Sequence, residues 1–212
     1  MTGFSLWWLP IAAIGGYFIG AINPASIIAR ARGIDLHQLG SGNPGATNAG
    51  RVMGRKTGAL VLLLDLLKGV VAVLLFTWLV TPELGAFAGF MSILGHMTSP
   101  FLKGKGGKGV ATTIGVLLAA EPIWLVPVLV VFAVVFVIVR RTGIASVAAA
   151  LALIVTAILD RNDSEMTVIG VLIGLLVIIR HGRNIREAWQ RLRSPTVQTP
   201  VPGPDGGNPQ NS

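Results

Sequence analysis

Residues 103–113 read KGKGGKGVATT, with Lys103, Lys105 and Lys108 set among Gly104, Gly106, Gly107 and Gly109. These residue types suit one kind of chemistry. Glycines let the backbone turn so that several N–H groups face a single anion, lysines supply countercharge, and a helix starting just beyond adds its positive end. The run Val110-Ala111-Thr112-Thr113 opens an apolar helix where that geometry needs one. Phosphate is the natural ligand, and the plain alternative is a flexible basic connection. Residues 40–45 and 104–109 both spell G-x-G-x-x-G, but neither follows a strand of a βαβ unit, so a dinucleotide site is not implied. Walker A chemistry does not fit either, because Gly109 and not Ser or Thr follows Lys108.

A second polar stretch, GSGNPGATNAGR at residues 40–51, gathers Ser41, Asn43, Thr47, Asn48 and Arg51. Together these could form a cup for a hydroxylated, phosphorylated small molecule, with the planar fork of Arg51 suited to phosphate. Asn and Ser beside glycine are also ordinary turn residues, so Ser41 and Asn43 are equally open to a structural reading. His96 ends an apolar segment beside the lysine loop, either as an interfacial hydrogen-bonding residue or as a proton acceptor. A third polar loop is RHGRN at residues 180–184. Asp65 and Lys68, three apart inside an apolar run, share one helical face. Ionisable residues in such runs pair and mark a functional interior, or they form a salt bridge that locks the bundle.

The elements that must carry these loops follow from composition. The 212-residue chain is 52% hydrophobic and only 12% charged, with a mean hydropathy of +0.72, against about 25% charge in soluble domains. Apolar segments at 4–29, 58–80, 84–96, 110–120, 122–139, 144–159 and 166–179 read as spans of an all-α integral membrane protein. The first lacks a basic leader and is too long for a signal peptide, so it reads as retained. Basic connections alternate with cation-poor turns (Thr81-Pro82-Glu83, Glu121) and with the mostly acidic turn DRNDSE at 160–165. The positive-inside rule then predicts seven transmembrane helices, N-terminus outside and C-terminus cytoplasmic, with all three polar loops on the cytoplasmic face. The eleven residues 110–120 are short for a span of about 20 and open to a re-entrant reading, but the charge asymmetry of the flanking loops favours a short span, open to extension by turns from Gly106 onward. Residues 1–193 read as one membrane-embedded domain, and the Pro- and Gly-rich residues 194–212 as a disordered cytoplasmic tail. The net charge of +8 sits in short loops, so topology and anionic ligands account for it better than nucleic acid does. There is no cysteine, and three histidines lie far apart, which removes disulfides and thiolate catalysis and gives no support to a metal site.

Taken together, GSGNPGATNAGR, LDLLKG, GHMTSPFLKGKGGKGVAT, GIAS and RHGRN resemble the bacterial PlsY family of acyl-phosphate-dependent glycerol 3-phosphate acyltransferases. The resemblance runs from about residue 11 to 185. It implies seven transmembrane helices in the bacterial inner membrane with a cytoplasmic active site. It also implies transfer of a fatty acyl group from acyl phosphate to the 1-hydroxyl of glycerol 3-phosphate, giving lysophosphatidic acid and phosphate, the first step of phospholipid synthesis. By position, Ser41, Asn43, Thr47, Asn48 and Arg51 match the family's first motif, and His96, Lys105, Gly106, Gly107 and Lys108 its second. Ser146, His181 and Asn184 match polar positions near the last two spans. Catalytic roles are expected for Ser41, Arg51, His96, Lys108 and Asn184. Substrate contacts are expected from Asn43, Thr47, Asn48, Lys105, Gly106, Gly107, Ser146 and His181. The implied partners are acyl phosphate, glycerol 3-phosphate, membrane lipid and an enzyme that makes acyl phosphate.

Acyl phosphate carries a good leaving group, so no covalent acyl-enzyme, nucleotide, metal or coenzyme A is needed. Loop 103–109, through its backbone N–H groups and Lys108, is expected to hold the acyl-phosphate phosphate. Arg51, Ser41 and Asn43, with Ser146, would hold glycerol 3-phosphate. The base is left open between His96, His181 and the substrate's own phosphate. The rival reading is an organic-phosphate transporter, against which stand the one-sided motifs and the lack of repeat symmetry. A coenzyme A-dependent acyltransferase would carry His-x4-Asp, whereas Phe101 and Gly42 stand at that distance from His96 and His37.

Overall fold

The computed structural model describes residues 5–160 and 164–193, and no strand occurs among them. The expected disordered tail and the centre of the acidic turn lie outside the described residues. Helix α1 (Trp8–Ala21) is separated from α2 (Pro24–Ala31) at Ile22-Asn23, so the segment expected as one first span is broken. The reason is local. A residue preceding proline is pushed out of the helical region. Asn23 is extended and caps α2, its Oδ1 accepting Ser26 N–H at 2.8 Å while its Nδ2 donates to Pro44 O at 2.9 Å.

The second polar stretch is not all loop. Residues 46–53 form α3 (Ala46–Met53), which carries Thr47, Asn48 and Arg51. Gly54, at φ +93°, lets the chain turn into the long α4 (Arg55–Leu79). Helix α5 (Pro82–Thr98) starts at a Thr81 cap with proline in its first turn. A short 3₁₀ turn, Pro100–Leu102, leads into the lysine loop, and α6 (Val110–Ala120) follows. Residues 106–109 are not helical: Gly109 has φ +80° and α6 begins only at Val110, so the extension from Gly106 does not occur. A second 3₁₀ turn precedes α7 (Leu125–Val139), then come α8 (Thr142–Leu159), α9 (Ser164–Arg180) and α10 (Gly182–Arg193).

The residues 8–31, α4, residues 122–139 and α8 are each long and apolar enough to cross a bilayer. The α9–α10 pair, bent by 51°, is a fifth candidate. Helix α1 packs on α5, α4 lies against both α5 and α6, and α8 lies between α7 and α9. Lipid offers little hydrophobic drive for helix pairing, so such contacts depend on close backbone approach. At the α1–α5 seam a Cβ on Gly20 would overlap Ser92 O, and one on Gly95 would overlap Tyr17 O. Trp78, Ile123 and Ile138 are mostly exposed, as the lipid-facing surface of such a bundle requires.

Candidate active site

The lysine loop is shaped by the end of α5. Gly107 N–H donates to His96 O and Gly106 N–H to Met97 O, both at 3.1 Å. Arg180, at the end of α9, closes the other side: its Nη2 donates to Gly106 O at 2.9 Å and to Gly107 O at 3.1 Å. A Cβ at Gly106 would overlap His96 O, and one at Gly107 would overlap the His96 ring at Nε2. Glycine is therefore needed at both positions for close approach. The amides of 106 and 107 are thus consumed by the protein. The N–H groups of Lys108, Gly109 and the first turn of α6 have no partner among the described residues, so these are the amides left to face an anion.

Lys108 is half-buried, and its Nζ donates to Asn184 Oδ1 from α10. Burial holds its pKa below the usual lysine range; Arg183 and Arg180 lower it further, with Glu187 opposing. Asn184 also packs against the start of α8, where a Cβ at Gly143 would overlap its Nδ2. Next to it, Arg183 Nη2 donates to Ser41 O. Two contacts, Arg183 to Ser41 O and Lys108 to Asn184, therefore bring the segments around 41, 106–108 and 183–184 together. Three segments far apart in sequence meet at one end of the bundle.

The remaining expected residues divide. Asn48 is buried and committed: its Oδ1 accepts Ser41 N–H at 2.8 Å, and its Nδ2 donates to Leu39 O at 3.0 Å and Leu36 O at 3.3 Å. Its amide hydrogens go to shaping the 36–41 turn. Ser146 is buried and donates to Thr142 O at 2.8 Å, leaving only acceptor capacity. His181 is buried with Nδ1 at 2.8 Å from Val177 O, so Nδ1 carries the hydrogen and Nε2 the lone pair. Thr47, Arg51 and Lys105 are exposed, and Asn43 is partly so. The side chain of Arg51 has no hydrogen bond or ion pair among the described residues.

His96 is joined to the pair within α4. Lys68 Nζ lies 2.9 Å from Asp65 Oδ1, and His96 Nδ1 lies 2.7 Å from that same Nζ. The pairing of Asp65 with Lys68 is legible in their spacing; the arrival of His96 is not. Arg180 and Arg183 were also missed as site builders. Their only sequence signal is adjacency to His181 and Asn184 within RHGRN. Among the described residues no group of three His, Cys, Asp or Glu side chains could hold a metal ion.

Comparison with known proteins gives a consistent answer. The profile of the family described as "Glycerol-3-phosphate acyltransferase" matches residues 10–191. A glycerol-3-phosphate acyltransferase of Geotalea daltonii is 38% identical over 187 residues, covering 88% of this chain and 94% of the relative. One of Aquifex aeolicus is 36% identical, covering 82% and 92%. Among solved structures, the glycerol 3-phosphate form of PlsY, an integral membrane glycerol 3-phosphate acyltransferase, superposes with a TM-score of 0.79 at 34% identity. It covers 88% of this chain and 92% of that one. The lysophosphatidic acid form gives 0.78, covering 86% and 92%. This all-helical, multi-pass membrane chain therefore belongs to the PlsY family of glycerol-3-phosphate acyltransferases.

Proposed function

We propose that the chain transfers a fatty acyl group from acyl phosphate to the 1-hydroxyl of glycerol 3-phosphate. The hydroxyl oxygen attacks the acyl carbonyl, the bond from carbonyl carbon to phosphate oxygen breaks, and lysophosphatidic acid and inorganic phosphate leave. The departing phosphate takes the hydroxyl proton, so no protein base is required. Lys108, the free amides of Lys108 to Thr112 and the Nε2 edge of His96 would hold the acyl-phosphate phosphate and carbonyl. Arg51, Ser41 and Asn43 would hold glycerol 3-phosphate, with Asn184 fixing Lys108 between the two. Holding both substrates in reacting geometry supplies much of the rate. No cofactor enters this scheme.

The observation that carries this reading is the pair of contacts, Arg183 to Ser41 O and Lys108 to Asn184, that gathers the 41, 108 and 183–184 segments. The finer topology belongs to the same proposal: seven spans, N-terminus outside, one domain over 1–193 with a cytoplasmic tail, in a bacterial inner membrane. Within it, an enzyme that makes acyl phosphate supplies the donor. Purified protein is given glycerol 3-phosphate with either acyl phosphate or acyl-CoA, and phosphate and lysophosphatidic acid are measured. Equal amounts of both products from acyl phosphate, and none from acyl-CoA, are expected; turnover with acyl-CoA alone would refute the donor assignment. Uptake of labelled glycerol 3-phosphate into liposomes without acyl donor would point to transport instead.

A further inference from the structure

Asp65, Lys68 and His96 form a buried cluster, 1%, 7% and 4% exposed, of which the transfer scheme gives a task only to the histidine. The Lys68 ammonium has three neighbours: Asp65 Oδ1 at 2.9 Å, Ile22 O at 2.9 Å and His96 Nδ1 at 2.7 Å. An ammonium carries three hydrogens and no lone pair. A charged Lys68 can therefore meet Nδ1 at this distance only if Nδ1 offers its lone pair. The competing arrangement, with Nδ1–H donating to Asp65 Oδ1, spans a longer 3.4 Å and sets that hydrogen against the ammonium. Asp65 already balances Lys68, so a second proton on the imidazole would be an uncompensated buried charge.

The ring is then neutral with its single hydrogen on Nε2. Nε2 has no hydrogen-bond partner among the described residues, and it is not one of the polar atoms sealed from solvent. It faces the backbone of Gly107, next to Lys108. We propose that Lys68 and Asp65 are positioning residues that hold His96 in its Nε2–H form, so that His96 meets the acyl donor as a hydrogen-bond donor and not as the base. The oxygen it would serve is the acyl carbonyl or phosphoryl oxygen that gains charge during attack. This rests on reading the 103–109 loop as the acyl-phosphate site.

The test reads the tautomer directly. The full-length protein, labelled with ¹⁵N-histidine in lipid nanodiscs, is examined by NMR, with variants of His37 and His181 removing the other histidine signals. The expected result is an unprotonated Nδ1 and a protonated Nε2 on His96. In Lys68→Met the assignment becomes mixed or inverts, and kcat falls by roughly 10- to 100-fold, by analogy with loss of the partner that orients a metal-bound histidine. KM for glycerol 3-phosphate changes little. His96→Gln, whose amide can place an N–H near the lost Nε2, retains more activity than His96→Ala. A protonated Nδ1 in the unsubstituted protein, or His96→Gln as inactive as His96→Ala, overturns the proposal. The first readout stands even if Lys68→Met does not fold. If instead Lys108→Ala keeps full activity, the loop reading fails while the tautomer measurement is untouched.

Discussion

Lys68 and Lys108 carry the same ammonium into two different settings. Lys68 is ion-paired with Asp65 at 2.9 Å, donates to the Ile22 carbonyl and meets His96 Nδ1, and it is nearly sealed. Lys108 has one acceptor, Asn184, and its other close charges are mainly arginines. The first is a cation whose requirements the fold meets. The second is under-partnered, beside unpaired helix-start amides and amid like charge, which is the state a phosphate would relieve. A satisfied ion pair builds structure; a surplus of donors points to a missing anion.

The sharpest way to break this contrast is to remove the surplus. Lys108→Ala should lower kcat by roughly 100- to 1000-fold, as when one donor to a developing oxyanion is deleted, with unchanged gel-filtration and thermal-unfolding behaviour. Retention of most activity would equate the two lysines. Next comes Gly107→Ala, whose added Cβ must displace the His96 ring or the loop; a loss of roughly 10- to 100-fold is expected, as for a small misplacement of reacting groups. A smaller effect appears with pH. Burial and the nearby arginines lower the pKa of Lys108, so its charge is present below that lowered value and lost as pH rises through it. The rate should therefore begin to fall at a lower pH than an ordinary lysine would give, and Lys108→Arg should remove that alkaline limb. Smallest is Gly104→Ala. Gly104 has φ +77° and open space around a Cβ, so the cost is about 1 to 2 kcal/mol of stability, read as a modest fall in melting temperature, with less loss of activity than Gly107→Ala.

Much of the membrane architecture was legible because the bilayer dictates it. The apolar runs at 58–80, 122–139, 144–159 and 166–179 correspond to α4, α7 with its preceding turn, α8 and α9. Helix interruptions and surface helices were less visible. The Asn23-Pro24 pair signals a break, but the long apolar context masked it. Helix α3 is hidden in the sequence because it shares most of its residues with the Gly- and Asn-rich stretch 40–51, although it packs on α4. In the site, the motifs do not tell which residues are spent internally. Asn48 and the amides of Gly106 and Gly107 are consumed by partners that hydropathy and spacing cannot reveal. The Arg180 clamp reaches across 74 positions to Gly106, and no local pattern records such a contact.

The central claim, that under-partnered cations at the rim and not the buried lysine hold substrate phosphate, is tested most directly by equilibrium binding. Calorimetric titration of glycerol 3-phosphate into Arg51→Ala, and of acyl phosphate into Lys108→Ala, should show weakened binding relative to the unsubstituted protein, with both ligands bound near-normally by Lys68→Met. Normal affinity in both rim variants, with loss confined to a folded Lys68→Met, would contradict it.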